Sequence, residues 1–397
     1  MTLMTEHLTE AHRLTLLPPY ATAQLEVLRS AAEANGLTCI DLGIGSPDQP
    51  TPKAVIERMI EAIQDPSNHR YPAFRGKPAF RRAIAEWYRR HYNVELDPDK
   101  EVLPLIGSKE GLAKLALAFV NPGDVVIVPD PSYPVHQRGT ILAGGELCLV
   151  PLRAEREFLP DWAEVPATML AKARLLFYNF PNNPTAAVAP RTFHEETVEF
   201  ARKNDLILVH DLAYAELAFD GYRPTSLLEI PGAKDRGVEF HTMSKTYNMA
   251  GWRCGFAVGN ARVLEQLYRV KTNMDYGIFG AIQDAAISAL SLPQSHIEQL
   301  IAKYQRRRDV MVAGLESLGW KLERPKATMY VWAPVPPPLT SYDFVADVIN
   351  RTGVIFTPGS GFGAAGEGFF RVSLVAEEHI LKEAIARLHQ AKIRYPA

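Results

Sequence analysis

The run Thr242-Met243-Ser244-Lys245-Thr246-Tyr247-Asn248-Met249-Ala250-Gly251-Trp252-Arg253 carries more information than any other part of the chain. Surface lysines usually have charged or flexible neighbours, whereas Lys245 stands among hydroxyls, aromatic rings and a glycine. Such surroundings indicate an amine held in a pocket, where it can lose its proton and attack a carbonyl carbon. The hydroxyls and Arg253 could hold an anion beside it. Covalent binding of an aldehyde cofactor that carries a phosphate requires these groups.

Length and composition describe an ordinary globular chain. Its 397 residues can bury a large core and predict two domains, and 47% are hydrophobic and 22% charged. The formal net charge of -2 gives no electrostatic reason to expect nucleic acid or an anionic membrane as a partner. No apolar run approaches the roughly 20 residues that cross a bilayer, and residues 1–13 lack the apolar segment of a signal peptide.

The cysteines bear on metals and on location. Cys39, Cys148 and Cys254 are far apart and form no CxxC pair. We therefore expect neither a disulfide framework nor a zinc site. The cysteines instead indicate a protein of the reducing cytoplasm, and we expect no bound metal.

Several short apolar runs are bounded by turn residues and separated by helical patterns. Four of them are residues 124–129, 175–178, 206–209 and 254–258. Each predicts a strand buried on both faces, and together they indicate a mostly parallel α/β sheet. Between them we predict amphipathic helices, for example over residues 78–92.

From about residue 291 the pattern changes, which predicts a second domain of α+β type. It comprises a charged helix over 301–318, a strand-like run at 329–332 and a helix beginning at Tyr342. We therefore expect an N-terminal arm with part of the small domain, a large domain and a C-terminal small domain. Their bounds are residues 1–48, 49–290 and 291–397.

Polar residues cluster just after the predicted strands, where ligands bind in open α/β sheets. Asp211 ends an apolar strand, where a carboxylate is costly unless it is paired. A protonated ring nitrogen would be a suitable partner, and Tyr214 could donate to a phenolate oxygen from the same side. Asp211 could instead cap the next helix, but we favour the pairing. Asn183 follows another strand and could donate to a phenolate oxygen, or simply form an Asn-Pro turn.

Two further segments are open to two interpretations. Gly107-Ser108-Lys109-Glu110-Gly111-Leu112 opens an apolar helical run, so its free amides, Ser108 and Lys109 would suit a phosphate. Taken alone, this segment is better explained as an ordinary helix cap. Tyr133 is fixed between two prolines and could stack on a planar cofactor, or be a buried tyrosine beside a turn.

Two segments near the C-terminus need separate treatment. Residues 361–366 match GxGxxG, but a strand-like run (369–374) follows where a helix is required. We interpret these glycines as a loop and not as a dinucleotide site. Arg371 lies inside the strand-like run. A buried arginine needs a carboxylate, either an internal one or the α-carboxylate of a substrate.

Taken together and in this order, these segments resemble the fold type I, class I and II aminotransferases, which use pyridoxal 5′-phosphate (PLP). The resemblance covers nearly the whole chain. Within that group the chain looks most like the bacterial glutamate–pyruvate (alanine) aminotransferases, with the LL-diaminopimelate aminotransferases nearby. The segments that carry the resemblance are residues 17–20, 107–112, 131–134, 210–214, 244–253 and 275–277.

The resemblance implies a large domain with a mostly parallel seven-stranded sheet flanked by helices, plus a smaller α+β domain. It also implies ping-pong transamination between an L-amino acid and a 2-oxo acid through a Schiff base on Lys245, which then moves the proton. Alanine or glutamate with pyruvate or 2-oxoglutarate are the expected substrates. LL-diaminopimelate, aspartate or another amino acid, and a PLP-dependent lyase on the same fold, are the alternatives.

The resemblance also assigns contacts residue by residue. Asp211 would pair with the pyridine nitrogen, Asn183 and Tyr214 would hold the phenolate oxygen, and Tyr133 would stack on the ring. Tyr71 matches a tyrosine that reaches the phosphate of a neighbouring subunit, so we expect a homodimer with a shared active site. The implied phosphate ligands are Ser108, Lys109, Thr242, Ser244 and Arg253. The implied substrate contacts are Tyr20, Gly45, Lys109, Asn183 and Arg371, the last on the α-carboxylate.

The chain departs from the family pattern in two places. The usual Asn-Pro-Thr-Gly ends in Ala186, so a turn that commonly uses glycine must carry a Cβ. The residue three before the lysine, often serine, is Thr242, which keeps the hydroxyl. In addition, residues 271–280 contain no arginine for a distal carboxylate, a role that Lys109 could take.

Overall fold

The structure is a computed structural model that describes residues 10–18 and 21–396. Its strands are β1 (Ile40–Asp41), β2 (Val102–Leu105), β3 (Val125–Asp130), β4 (Glu146–Pro151), β5 (Ala173–Tyr178), β6 (Ile207–Asp211), β7 (Gly237–Thr242), β8 (Gly255–Gly259), β9 (Tyr330–Pro334), β10 (Val354–Ile355), β11 (Thr357–Pro358) and β12 (Phe369–Ser373). Its helices are α1 (His12–Thr15), α2 (Ala21–Ala34), α3 (Lys53–Ile63), α4 (Pro78–Tyr92), α5 (Ser108–Phe119), α6 (Val135–Ala143), α7 (Ala167–Leu170), α8 (Arg191–Lys203), α9 (Met243–Thr246), α10 (Ala261–Thr272), α11 (Gly280–Leu290), α12 (Gln294–Ser317), α13 (Ser341–Thr352) and α14 (Glu378–Gln390).

The main sheet has seven strands in the order β2-β8-β7-β6-β5-β3-β4. All neighbours are parallel except β8, which runs antiparallel to both β2 and β7. The four predicted runs are β3, β5, β6 and β8, so the prediction of a mostly parallel sheet is confirmed.

Both faces of this sheet are covered, which explains why its strands are apolar without alternation. Successive residues of β5 point to opposite faces, as the pleat requires. Leu176 and Tyr178 join one core, and Leu175 and Phe177 join the other. The helix predicted over residues 78–92 is α4, whose Trp87 packs into the first of these cores.

The C-terminal part is of α+β type, as predicted. β9, β11 and β12 form an antiparallel sheet in the order β11-β12-β9, and β1 pairs in parallel with β10. The charged helix begins earlier than predicted at residue 301, because α12 starts at Gln294, directly after Pro293. Proline is tolerated at the start of a helix, where its missing amide hydrogen would have no partner within the helix. The GxGxxG segment forms short 3₁₀ turns that lead into β12, so its interpretation as a loop is confirmed.

A separate core connects the two ends of the chain. Leu25 and Leu42, from the N-terminal segment, pack with Val348 and Val372 of the C-terminal part. This packing supports the expected assignment of residues 1–48 partly to the small domain, and we propose to keep the three bounds given above. Within the described ranges, none of the helices is long and apolar enough to span a membrane.

Candidate active site

A cavity of about 280 Å³ opens where β5, β6 and β7 end. Ligands bind at this edge of open α/β sheets because loops and helix starts converge there. Most of the predicted site residues line the cavity, and they come from both parts of the chain. They are Gly45, Ser108, Lys109, Tyr133, Asn183, Asp211, Tyr214, Thr242, Ser244, Lys245, Arg253 and Arg371.

Lys245 lies on α9, a single turn that follows β7 directly. Thr242 starts this turn, since its hydroxyl accepts from the Ser244 amide at 3.2 Å. The Lys245 amine reaches into the cavity, where Nζ donates to the Gly45 carbonyl at 2.6 Å. Burial lowers the pKa of Lys245, and the positive charges of Arg371 and Arg253 add to this effect. The amine is therefore more easily neutral, and more nucleophilic, than an exposed lysine.

Asp211 ends β6 with one carboxylate oxygen paired and one not. Oδ2 lies 3.1 Å from His136 Nε2, and the Asn179 amide group donates to the Asp211 carbonyl at 2.5 Å. Oδ1 is buried and has no hydrogen-bond partner among the described residues. Buried polar atoms are nearly always satisfied, so an orphaned carboxylate oxygen in a cavity indicates a missing donor. A protonated ring nitrogen fits this requirement.

Arg371 lies in β12 and is buried at 6% exposure. Nη1 donates to Asn183 Oδ1 at 2.7 Å, Nη2 donates to the Gly43 carbonyl at 2.6 Å, and Nε has no partner within the described ranges. The guanidinium also lies over the ring of Tyr330, 4.2 Å from its centroid. Among the described residues, no carboxylate lies within ion-pair distance of it. The internal salt bridge that the sequence left open is thus absent from this part of the chain, and the positive charge of Arg371 can pair with an external carboxylate.

An anion site forms where α5 begins. Gly107 precedes this helix at φ +74°, and a Cβ built on it would clash with Arg253 Nη2. The glycine therefore lets the guanidinium approach the free amides of the helix start. The Thr242 hydroxyl donates to the Ser244 hydroxyl at 2.8 Å, and both residues line the same cavity. Amides, hydroxyls and a cation together suit a phosphate group.

Three residues of the site have no predicted role. Tyr330 follows Met329 in a run that predicts only a strand, yet its hydroxyl accepts from the Tyr214 hydroxyl at 2.9 Å. His136 comes three residues after Tyr133 at the start of a helix, which is a weak signal for the Asp211 contact. Asn179 holds the turn that follows β5, because its Oδ1 accepts from the Asn183 amide at 2.8 Å.

Of the remaining two predicted site residues, only Tyr71 is among the described residues. Tyr71 is 80% exposed, does not line the cavity, and stacks on Tyr276 with ring centroids 4.4 Å apart. Its contact with a neighbouring subunit stays a prediction. Tyr20 lies outside the described residues. The departure at Ala186 has the expected consequence, since this alanine adopts a left-handed φ of +59°.

A buried amine, an orphaned carboxylate oxygen and an anion site around one cavity fit PLP, whose aldehyde, ring nitrogen and phosphate they match. The profile of the family described as "Aminotransferase class I and II" matches residues 38–388. The chain belongs to this family, and it is a PLP-dependent aminotransferase.

Curated relatives within this family share one name. LL-diaminopimelate aminotransferase from Moorella thermoacetica is 51% identical over 381 residues, which cover 96% of this chain and 98% of the relative. The protein of the same name from Desulforudis audaxviator is 52% identical over 379 residues, with 96% and 97% covered. These names agree with the LL-diaminopimelate aminotransferases, which the sequence indicates as a nearby group. They do not support alanine and glutamate, which are the substrates expected from the sequence.

Solved structures agree with the fold. Substrate-bound BacF from Bacillus subtilis superimposes with a TM-score of 0.94 at 38% identity, covering 98% of this chain and 99% of that one. A probable N-succinyldiaminopimelate aminotransferase from Thermus thermophilus gives a TM-score of 0.89 at 37% identity, with 94% and 100% covered.

Proposed function

We propose that this aminotransferase acts on LL-diaminopimelate and exchanges one of its amino groups with the oxo group of a 2-oxo acid. The observation that carries the proposal is the identity of about half of all residues, over nearly full length, with relatives named for this substrate. The cavity is compatible with it, since an amino acid carboxylate and a cofactor ring would both find charged or polar partners there.

The substrate would be held first by its α-carboxylate. Arg371 offers the unpartnered Nε and a guanidinium fixed, among the described residues, by Asn183, Gly43 and the Tyr330 ring. A planar fork held on several sides loses little freedom when it binds a carboxylate. Its position on β12, in the cavity that also contains the Lys245 amine, would orient the α-carbon toward the reacting groups.

The cofactor would be held by groups that the structure already brings together. Asp211 Oδ1 would accept the hydrogen of the ring nitrogen, and Asn183 and Tyr214 would contact the 3-oxygen. Tyr133, which lines the cavity, would stack on the ring. The phosphate would be bound by Ser108, Lys109, Thr242, Ser244 and Arg253.

The proton transfer would depend on Lys245. When bound, PLP supplies an aldehyde that takes up amino groups and a ring that accepts the electron pair left at the α-carbon. Because burial lowers the pKa of Lys245, its amine is more easily neutral than that of an exposed lysine, and it can take the α-proton and return it. Asp211 would keep a positive charge on the ring nitrogen and so favour the loss of that proton.

A second copy of the chain would complete the site. Tyr71 is 80% exposed in one chain, and its stacking partner Tyr276 is 52% exposed. Large exposed aromatic rings mark interaction surfaces in soluble proteins. We propose that Tyr71 reaches the phosphate of the partner subunit in a homodimer.

A half-reaction screen tests the proposed substrate. The enzyme loaded with PLP is mixed with LL-diaminopimelate, alanine, glutamate or aspartate, and the loss of the cofactor's visible band is followed in a stopped-flow instrument. We expect the second-order rate constant for LL-diaminopimelate to be at least about 10²-fold above that for alanine. A single well-placed contact to a charged group gives discrimination of this size. Rapid reaction with alanine or glutamate and none with LL-diaminopimelate would show that another amino acid is the substrate.

A further inference from the structure

Tyr330, at the start of β9, lies between the proposed cofactor contacts and the proposed carboxylate contact. It is 2% exposed, and its ring lies under the Arg371 guanidinium at 4.2 Å. A Cβ built on Gly45 would clash with the Tyr330 hydroxyl, so the backbone there packs directly on that oxygen. Among the described residues, the hydroxyl has one hydrogen-bond partner, the Tyr214 hydroxyl at 2.9 Å.

The number of protons limits what this pair of hydroxyls can do. A phenol has a single proton to donate. With Tyr214 donating to Tyr330, as in the structure, Tyr214 has none left for an oxygen of the cofactor. The same separation allows the reverse arrangement, in which Tyr330 donates to Tyr214 and Tyr214 donates onward. Two hydrogen bonds that run in one direction polarise and strengthen each other.

The charges around the pair favour the reversed direction. Burial raises the pKa of Tyr330, but the positive charges of Lys245 and Arg371, together with the hydrogen bond to Tyr214, lower this pKa overall. Burial raises the pKa of Tyr214, and the neighbouring Tyr330 and Asp211 add to this rise, although Arg371 opposes it. Tyr330 is thus the more acidic phenol, and the more acidic of two phenols is the better donor to the other.

We propose that Tyr330 is a positioning residue, whose hydroxyl donates to Tyr214 when the cofactor is bound and so directs the Tyr214 proton to the cofactor's 3-oxygen. This inference rests on the proposed position of the cofactor beside Tyr214. Tyr330 would act only through Tyr214, and its own contact with the reacting atoms is not required.

A double-mutant cycle tests the proposal. The readout is the pH midpoint at which the visible band of the PLP-loaded enzyme changes, measured without substrate. A hydrogen bond to the 3-oxygen stabilises its negative charge, so weakening that bond raises the midpoint. We expect a rise of about one unit for Tyr214→Phe and about 0.5 unit for Tyr330→Phe, since one unit corresponds to the net worth of about one hydrogen bond. In the Tyr214→Phe background, Tyr330→Phe should add nothing.

Tyr304→Phe is the matched control. Tyr304 is as buried as Tyr330, but its hydroxyl has no hydrogen-bond partner among the described residues, and it does not line the cavity. This variant should leave the midpoint unchanged. An unshifted midpoint in Tyr330→Phe, the same shift with and without Tyr214, or an equal shift in the control would overturn the proposal. If the wild-type protein shows no visible band with PLP, the proposed cofactor site fails instead.

Discussion

Replacing Arg371 by methionine should weaken carboxylate binding without unfolding the protein. The guanidinium is buried, and the described part of the chain places no carboxylate beside it. After the substitution the Gly43 carbonyl still accepts from the Thr357 hydroxyl at 2.8 Å, so only Asn183 Oδ1 loses its protein donor. We therefore expect the Arg371 side chain to serve binding and to contribute little to folding.

The expected magnitudes follow from these contacts. One buried acceptor left unpaired costs about 1–3 kcal/mol. Replacing buried ionic groups by apolar ones is often neutral or stabilising by about 1–4 kcal/mol, which offsets this cost. The free energy of unfolding of Arg371→Met should therefore lie within about 1 kcal/mol of the wild-type value. Losing the partner of a bound carboxylate costs about 3 kcal/mol, which lowers kcat/KM on the order of 10²-fold.

Two assays separate these effects. Urea unfolding of the cofactor-free protein gives the stability, and kcat/KM is measured with an amino acid and with an amine that lacks the carboxylate. Arg307→Met is the matched control, because Arg307 is equally buried but is held by Asp48 through two contacts of 2.7 Å. The control should lose about 3 kcal/mol of stability. Equal losses of kcat/KM for both substrates, or instability of Arg371→Met comparable to the control, would refute the reasoning.

Three further predictions concern ionisable groups. Lys245→Ala should abolish turnover while PLP stays bound noncovalently, as measured by absorbance before and after dialysis; turnover at the wild-type rate would contradict its role. Burial lowers the pKa of Lys245. The half-reaction rate should therefore stay constant when pH falls below the pKa of an exposed lysine, and it should decrease only when pH reaches the lowered pKa of Lys245. A rate that falls already near the pKa of an exposed lysine would contradict this. Hydrogen bonds from His210 and His241 hold the pKa of Glu239 well below its usual range despite burial. A lowered folded-state pKa stabilises the protein above the unfolded-state pKa, and this contribution is lost as pH falls below it. Urea unfolding should therefore show less loss of stability between pH 7 and about pH 3 in Glu239→Gln than in the wild type, by about 2 kcal/mol; identical losses would contradict the prediction.

The sequence predicts the sheet well because burial on both faces leaves a local pattern. An unbroken apolar run ending in a turn marks β3, β5 and β6 without knowledge of their neighbours. The direction of β8 has no such mark, since a strand buried on both faces looks the same parallel or antiparallel. Its antiparallel pairing with β7 follows from the short connection between them, which α9 and a 3₁₀ turn occupy.

The site is predictable where function and strand end coincide. Asp211 ends its strand and Lys245 follows closely on another, so their side chains meet at one edge of the sheet. The roles of Tyr330 and His136 are harder to predict, because each depends on a contact that is distant in sequence. Tyr330 contacts Tyr214 across 116 positions, and His136 contacts Asp211 across 75 positions. No local spacing encodes such contacts. The proposed role of Tyr71, which is 80% exposed, concerns a second copy of the chain, so the fold of one chain does not test it.

The segment after β1 connects the Lys245 amine to the proposed carboxylate site, and no single sequence motif reveals this connection. Lys245 Nζ donates to the Gly45 carbonyl, and Arg371 Nη2 donates to the Gly43 carbonyl, two residues earlier. A carboxylate that binds Arg371 through Nε and Nη2 must take the place of the Gly43 carbonyl. The Gly43 carbonyl can give up its hydrogen bond with Arg371 at low cost in free energy, because it still accepts one from the Thr357 hydroxyl. If a substrate carboxylate binds Arg371 as proposed, its binding would act on the same short stretch of backbone that holds the Lys245 amine.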